Sequence, residues 1–132
     1  MITFNKEGND FVKKLCLTLL LVTPFSFADW GDVYHCEMTN FSEVTLDGDK
    51  KNSKLEKFKF KLDKNRNAMV FGKGGYFENR VGKLDSDYAW VIKETWEATH
   101  EYGRYVFNNG KLLHSFVRTV GITTVTANCD KF

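Results

Sequence analysis

Three histidines, His35, His100 and His114, and three serines, Ser42, Ser86 and Ser115, are residue types from which a nucleophile and its base are built. Glu94, Glu97 and Glu101 could add paired carboxylates for general acid and base work. Their spacing speaks against both. No serine stands in the Gly-x-Ser-x-Gly frame that exposes a nucleophile on a strained turn, and glutamates three and four positions apart are the ordinary pattern of a solvated face. A zinc site needs two histidines at short spacing, or histidines converging with carboxylates such as Glu37 or Glu101, and no two histidines are close in the chain. Barrel strands could still join His35 to His114. With that one alternative open, the sequence predicts no catalytic residue, no metal ligand and no cofactor, and the protein reads as a non-enzyme.

Asp63-Lys64-Asn65-Arg66-Asn67 opens like a calcium loop, with alternating oxygen-bearing side chains. Ala68 then replaces the glycine needed for the sharp turn, and Gly74 stands where the closing glutamate belongs. The same residues are good turn formers, and a turn is the expectation. Asp47 and Asp49 make a weaker version of the same pattern. Asn40-Phe41-Ser42 is a formal glycosylation acceptor, relevant only in a eukaryotic secretory route.

The aromatic residues are more informative. Trp90, Trp96, Tyr102 and Tyr105 fall within 16 positions, and Gly74-Gly75-Tyr76-Phe77 is a glycine–aromatic loop. Flat rings at a concave site suit apolar or carbohydrate-like ligands, and glycine lets backbone come close to a ligand. Tyr76, Phe77, Trp96 and Tyr102 are therefore the candidate ligand-binding residues, whereas Trp90 and Tyr105 are expected to fill the interior.

The run from Leu15 to Phe27 is apolar, 13 residues long and interrupted by Pro24. That is too short to cross about 30 Å of hydrocarbon, which takes roughly 20 residues. Lys13 and Lys14 before it, and Ser26 and Ala28 three and one positions before a cut, complete the pattern of a secretory signal peptide over residues 1–28. The domain is then residues 29–132. Losing Lys6, Lys13, Lys14, Glu7 and Asp10 leaves a net charge of about +1, which gives no reason to expect nucleic acid as a partner. The remainder keeps eight Phe, five Tyr and three Trp, enough apolar area for one core. Cys16 leaves with the signal. Cys36 and Cys129 are then expected to pair, in a secreted or periplasmic setting where disulfides persist.

Local patterning supplies the elements. Phe58, Phe60 and Leu62 alternate with Lys57, Lys59 and Lys61, the period of a half-buried strand with a lysine outer face. The turn at residues 63–67 leads into Met69–Phe71 and predicts a hairpin. Tyr102–Asn108 and Lys111–Val120 flank Asn109-Gly110, the dipeptide suited to a type I′ turn. Tyr34, Cys36 and Met38 alternate in a first strand, Tyr88, Trp90 and Ile92 in a middle one, and Val125, Ala127 and Cys129 share a face of the last. Trp96–His100 could form one helical turn, although no window sustains a helical period with caps. With both cysteines on apolar faces of the first and last strands, the expected fold is all-β: an antiparallel up-and-down or meandering barrel of about seven or eight strands, with a two-sheet sandwich as runner-up. Tyr34-His35-Cys36 near the start of the domain and Cys129 in its last strand resemble the framework of small periplasmic barrels, including lysozyme inhibitors, a likeness of fold that implies no activity.

Two binding functions follow. One is a module with a small-molecule ligand held among Tyr76, Phe77, Trp96 and Tyr102. The other is a protein-binding or inhibitor module presenting the loop of residues 72–77 to a partner protein. A hollow barrel favours the first and a filled barrel the second.

Overall fold

The structure, a computed structural model, describes residues 28–85 and 95–132. The expected signal segment up to residue 27 and the middle strand around Tyr88, Trp90 and Ile92 lie outside the described residues, as do Ser86 and Glu94. Among the described residues there are nine strands and no helix. They are β1 (Val33–Thr45), β2 (Lys50–Asn52), β3 (Lys57–Asp63), β4 (Ala68–Phe71), β5 (Val81–Leu84), β6 (Trp96–His100), β7 (Gly103–Asn108), β8 (Lys111–Arg118) and β9 (Gly121–Lys131). Strands β3 to β9 follow one another in space, and β1 pairs with both β3 and β9, so an antiparallel barrel of eight strands closes. The short β2 is an extra strand, paired with the second half of β1. The up-and-down barrel is thus the architecture observed.

The two expected hairpins are present because their turns suit left-handed backbone. Asn109 and Gly110 have φ of 48° and 73°, the pair of positive values a type I′ turn needs. At the other hairpin Asn67 takes φ 49°, and the Asp63 carboxylate accepts hydrogen bonds from the backbone N–H groups of Asn65 and Arg66 at 3.0 and 3.3 Å. Asp63 therefore braces the turn into β4. Lys57, Lys59 and Lys61 line the outside, as their alternation requires, and Lys57 meets Glu37 at 3.2 Å.

One expectation is corrected. Trp96–His100 is not a helical turn but strand β6, paired with β5 through Ala98 and Thr99 and with β7 along its whole length. Five residues cannot sustain a helix on propensity alone, whereas β7 pairs with all five and β5 with two of them.

Strand β1 carries the closure. Cys36 stands opposite Cys129 in the β1–β9 register, and the two are disulfide-bonded. The register shifts by one between Met38 and Asn40, leaving Thr39 as a bulge. A single extra residue exchanges the two faces of a strand. Tyr34, Cys36 and Met38 face inward before the bulge; Phe41 faces inward after it, opposite the buried Val125.

An eight-stranded barrel is just wide enough for side chains, and rings fill this one. Tyr34, Phe60 and Phe107 pack together, with centroids 4.7 to 5.4 Å apart. Phe71, Phe77 and Tyr105 form a second group at 4.8 to 5.7 Å. Gly82 and Gly103 make room: a Cβ at Gly82 would lie 3.0 Å from the Tyr105 ring, and one at Gly103 would lie 3.1 Å from Phe116.

Candidate functional site

The four aromatic candidates do not converge. Phe77 is fully buried and packs against Phe58, Phe71, Tyr105 and His114, so its ring belongs to the core. Tyr76, half-buried, sits beside it and contacts Phe41 at 4.9 Å. Trp96 lies at the opposite end of β6 from Tyr102, where it meets Trp30 edge-on at 5.0 Å. Tyr102 is 76% exposed on the β6–β7 turn. Only Tyr76 and Phe77 are brought together.

The histidines and serines are also dispersed. His35 is exposed on β1 and packs against Phe132, while His114 is buried on the inner face of β8. Ser42 shares a hydrogen bond with Thr124 at 3.1 Å. Glu97 is hydrogen-bonded to Arg104, and Glu101 takes a left-handed turn conformation at φ 48°. Among the described residues no three His, Cys, Asp or Glu side chains are grouped as a metal site would need, and no helix is long and apolar enough to cross a membrane.

The polar chemistry instead gathers at the barrel end bearing Tyr76. The Arg80 guanidinium lies 4.5 Å from the Tyr76 ring centroid, 6.0 Å from that of Phe77 and 5.9 Å from that of Phe116. Arg118 covers Phe116 as well, at 5.3 Å. Deeper in, Tyr105 and His114 pack with ring centroids 4.5 Å apart and planes tilted by 36°, both rings out of solvent. The Tyr105 hydroxyl and both imidazole nitrogens of His114 have no hydrogen-bond partner. Arg80 acts on the hydroxyl by its charge and as an approaching N–H donor, without reaching full hydrogen-bonding geometry. Burial raises the Tyr105 pKa, partly offset by Arg80. Burial first, then the positive charges of Arg80 and His100, lowers His114 to about 4, so its imidazole is neutral at pH 7.

Beside this end the outer wall of β1, β9 and β8 carries no charge over three rows of cross-strand neighbours, with Lys50 of β2 and Arg104 of β7 flanking it. Val44, Ile122 and Val117 form one row; Ser42, Thr124 and Ser115 the next; Asn40, Thr126 and Leu113 the third. Val44, Val117 and Ile122 are 42–54% exposed. Two exposed aliphatic turn residues extend that row, since the Leu46 N–H donates to the Val120 carbonyl at 3.1 Å. A shallow groove of about 510 Å³ continues along the wall past Leu113 and Thr126 to Lys111 and Asn128. A smaller cleft of about 260 Å³ lies at the other barrel end, between Trp30 and Lys64.

Sequence reasoning singled out neither Arg80 nor the aliphatic row. The signal for the row was present: Leu113 and Val117 alternate with Leu112 and Phe116, so that β8 has apolar residues on both faces. A two-sided apolar strand in a small barrel has one side unaccounted for by the core. Comparison of the chain with protein families, curated proteins and solved structures gives no match.

Proposed function

We propose that this protein is a non-enzymatic, protein-binding module. It is secreted or periplasmic after removal of residues 1–28, and it docks a partner on the uncharged wall of β1, β9 and β8. The observation that carries this reading is the exposed aliphatic row of Val44, Leu46, Val117, Val120 and Ile122, on a chain of which 27% is charged. Contiguous exposed apolar residues rimmed by polar ones are the usual mark of a protein interface. A rigid barrel tied by Cys36–Cys129 loses little freedom on binding, which favours affinity. The disulfide also accords with an oxidising compartment. The first of the two binding functions, a small ligand held among Tyr76, Phe77, Trp96 and Tyr102, is less well supported, because those four do not converge and other rings fill the interior with Phe77.

The test uses the purified domain as bait in an envelope or secreted fraction, alongside a variant carrying Val117→Glu and Ile122→Glu. The expected result is one protein retained in stoichiometric amount by the wild type and lost from the variant, with no added mass in the native spectrum of the bait. A co-purifying small molecule with no retained protein would overturn the reading.

A further inference from the structure

We propose that the barrel end around Arg80 is a binding site for a carboxylate carrying an apolar or aromatic body. The chain has four arginines. Two lie on carboxylates, Arg66 on Asp63 and Arg104 on Glu97. Arg80 and Arg118 form no ion pair among the described residues, and both stand on the ring of Phe116. A guanidinium is donor-only, with five N–H groups in a planar fork. Ring contact stabilises its charge from the side but accepts none of its hydrogen bonds along the edge.

The groups behind Arg80 ask for the same kind of ligand. The Tyr105 hydroxyl and the N–H of neutral His114 are donors, both residues are wholly buried, and neither group has an acceptor. An unpartnered buried polar group costs stability that an apolar side chain of the same shape would not. The two permanent guanidinium charges at this barrel end select an anion over a cation or a neutral sugar, and the Tyr105 O–H and the His114 N–H behind them are donors free to add to that, the second nitrogen of His114 being an acceptor. Planarity selects a carboxylate, which matches the guanidinium fork with two parallel hydrogen bonds. Tyr76 and Phe116 flank the fork and supply an apolar wall for the body of the ligand.

Of the carboxylates at this end, Glu56 accepts the Tyr76 N–H at 2.8 Å and Glu78 the Gly74 N–H at 3.3 Å, and neither makes an ion pair with Arg80 or Arg118. His100 adds a further positive influence on His114. Glu43 is placed on the inner row across β9 from Phe116, through Thr123, and makes no ion pair with either arginine. The site is separate from the aliphatic row, and its test does not depend on the partner protein.

The carboxylate has two possible sources, a free organic acid or an acidic side chain of a protein. The isotopically labelled domain is titrated at pH 7 and low salt with benzoate, with benzamide as the uncharged isostere, with inorganic phosphate, and with the amidated peptide Phe-Asp-Phe. The resonances of Arg80, Tyr105 and His114 are followed. Saturable shifts with benzoate alone assign a free acid, and with the peptide alone a protein side chain; either supports the site. Arg80→Gln should weaken that binding at least tenfold and Arg118→Gln less, while Arg104→Gln leaves it unchanged. Absence of saturable shifts with both, equal shifts with benzamide, phosphate binding as tight as the carboxylate, or a folded Arg80→Gln that binds like the wild type would each overturn it. The benzoate and benzamide comparison decides the matter on the unmodified protein if Arg80→Gln does not fold. Glu substitutions at Val117 and Ile122 should abolish partner capture and spare benzoate binding, so the two proposals fail separately.

Discussion

His114 shows what one residue can cost. Its imidazole is neutral, buried and unpartnered in the folded barrel, and its pKa is lowered to about 4 by burial and by the charges of Arg80 and His100. In the unfolded chain the same group titrates near 6.5. Above that pH both states leave it unprotonated, and its contribution is complete. As pH falls from about 6.5 towards 4 the unfolded chain takes up a proton that the folded one does not, and stability is lost over that window. The loss attributable to this residue is on the order of 3 kcal/mol at the most. Urea unfolding at pH 7 and pH 4.5 should show His114→Phe losing markedly less stability on acidification than the wild type. The inward position of His114 is legible in the sequence, from its alternation with Leu112 and Phe116. Its lack of a partner is not, since that depends on which rings β7 and the loop before β5 bring against it. Arg80 has no periodic pattern around it and acquires its setting only from Tyr76, Phe77 and Phe116, three rings from two separate segments.

Among the elements, those governed by local chemistry are the readable ones. Asn109-Gly110 fixes its hairpin through backbone preference, and the residues of the turn at 63–67 do the same by an aspartate brace. Strand β6 is misread because five residues carry too little pattern to outweigh a helical alternative, and its pairing partners are remote in the pattern that decides it. The bulge at Thr39 leaves no mark in composition; only the opposing β9 register reveals it. Gly82 in β5 has a comparable hidden role. A Cβ added at Gly82 would lie 3.0 Å from the Tyr105 ring and 3.1 Å from the Ala98 Cβ, so Gly82→Ala overpacks the core there unless those neighbours give way. Overpacking of this kind costs about 1–3 kcal/mol. Thermal unfolding should place the variant well below the wild type, and an unchanged midpoint would mean that Tyr105 can move aside freely.

At the scale of the molecule, closure of the barrel is legible through two cysteines on apolar faces, at the first and last strands. The filling of its interior is not, because volume depends on the tilt and stagger of all the strands together. The Cys36–Cys129 bond joins positions 93 residues apart, and cutting so long a loop free should cost about 4–5 kcal/mol in the chain-entropy description. Replacing both cysteines by alanine should lower the urea midpoint accordingly, and a midpoint within error of the wild type would refute that ledger of loop closure. The position of the bond in the seam has a mechanical meaning too. Tension applied at the outer ends of β1 and β9 enters the seam from one side and separates Tyr34 from Lys131 and His35 from Asp130. It then meets the covalent link at the next pair. Beyond that point the load runs from sulfur to sulfur, and the barrel hangs from the line of force without carrying it.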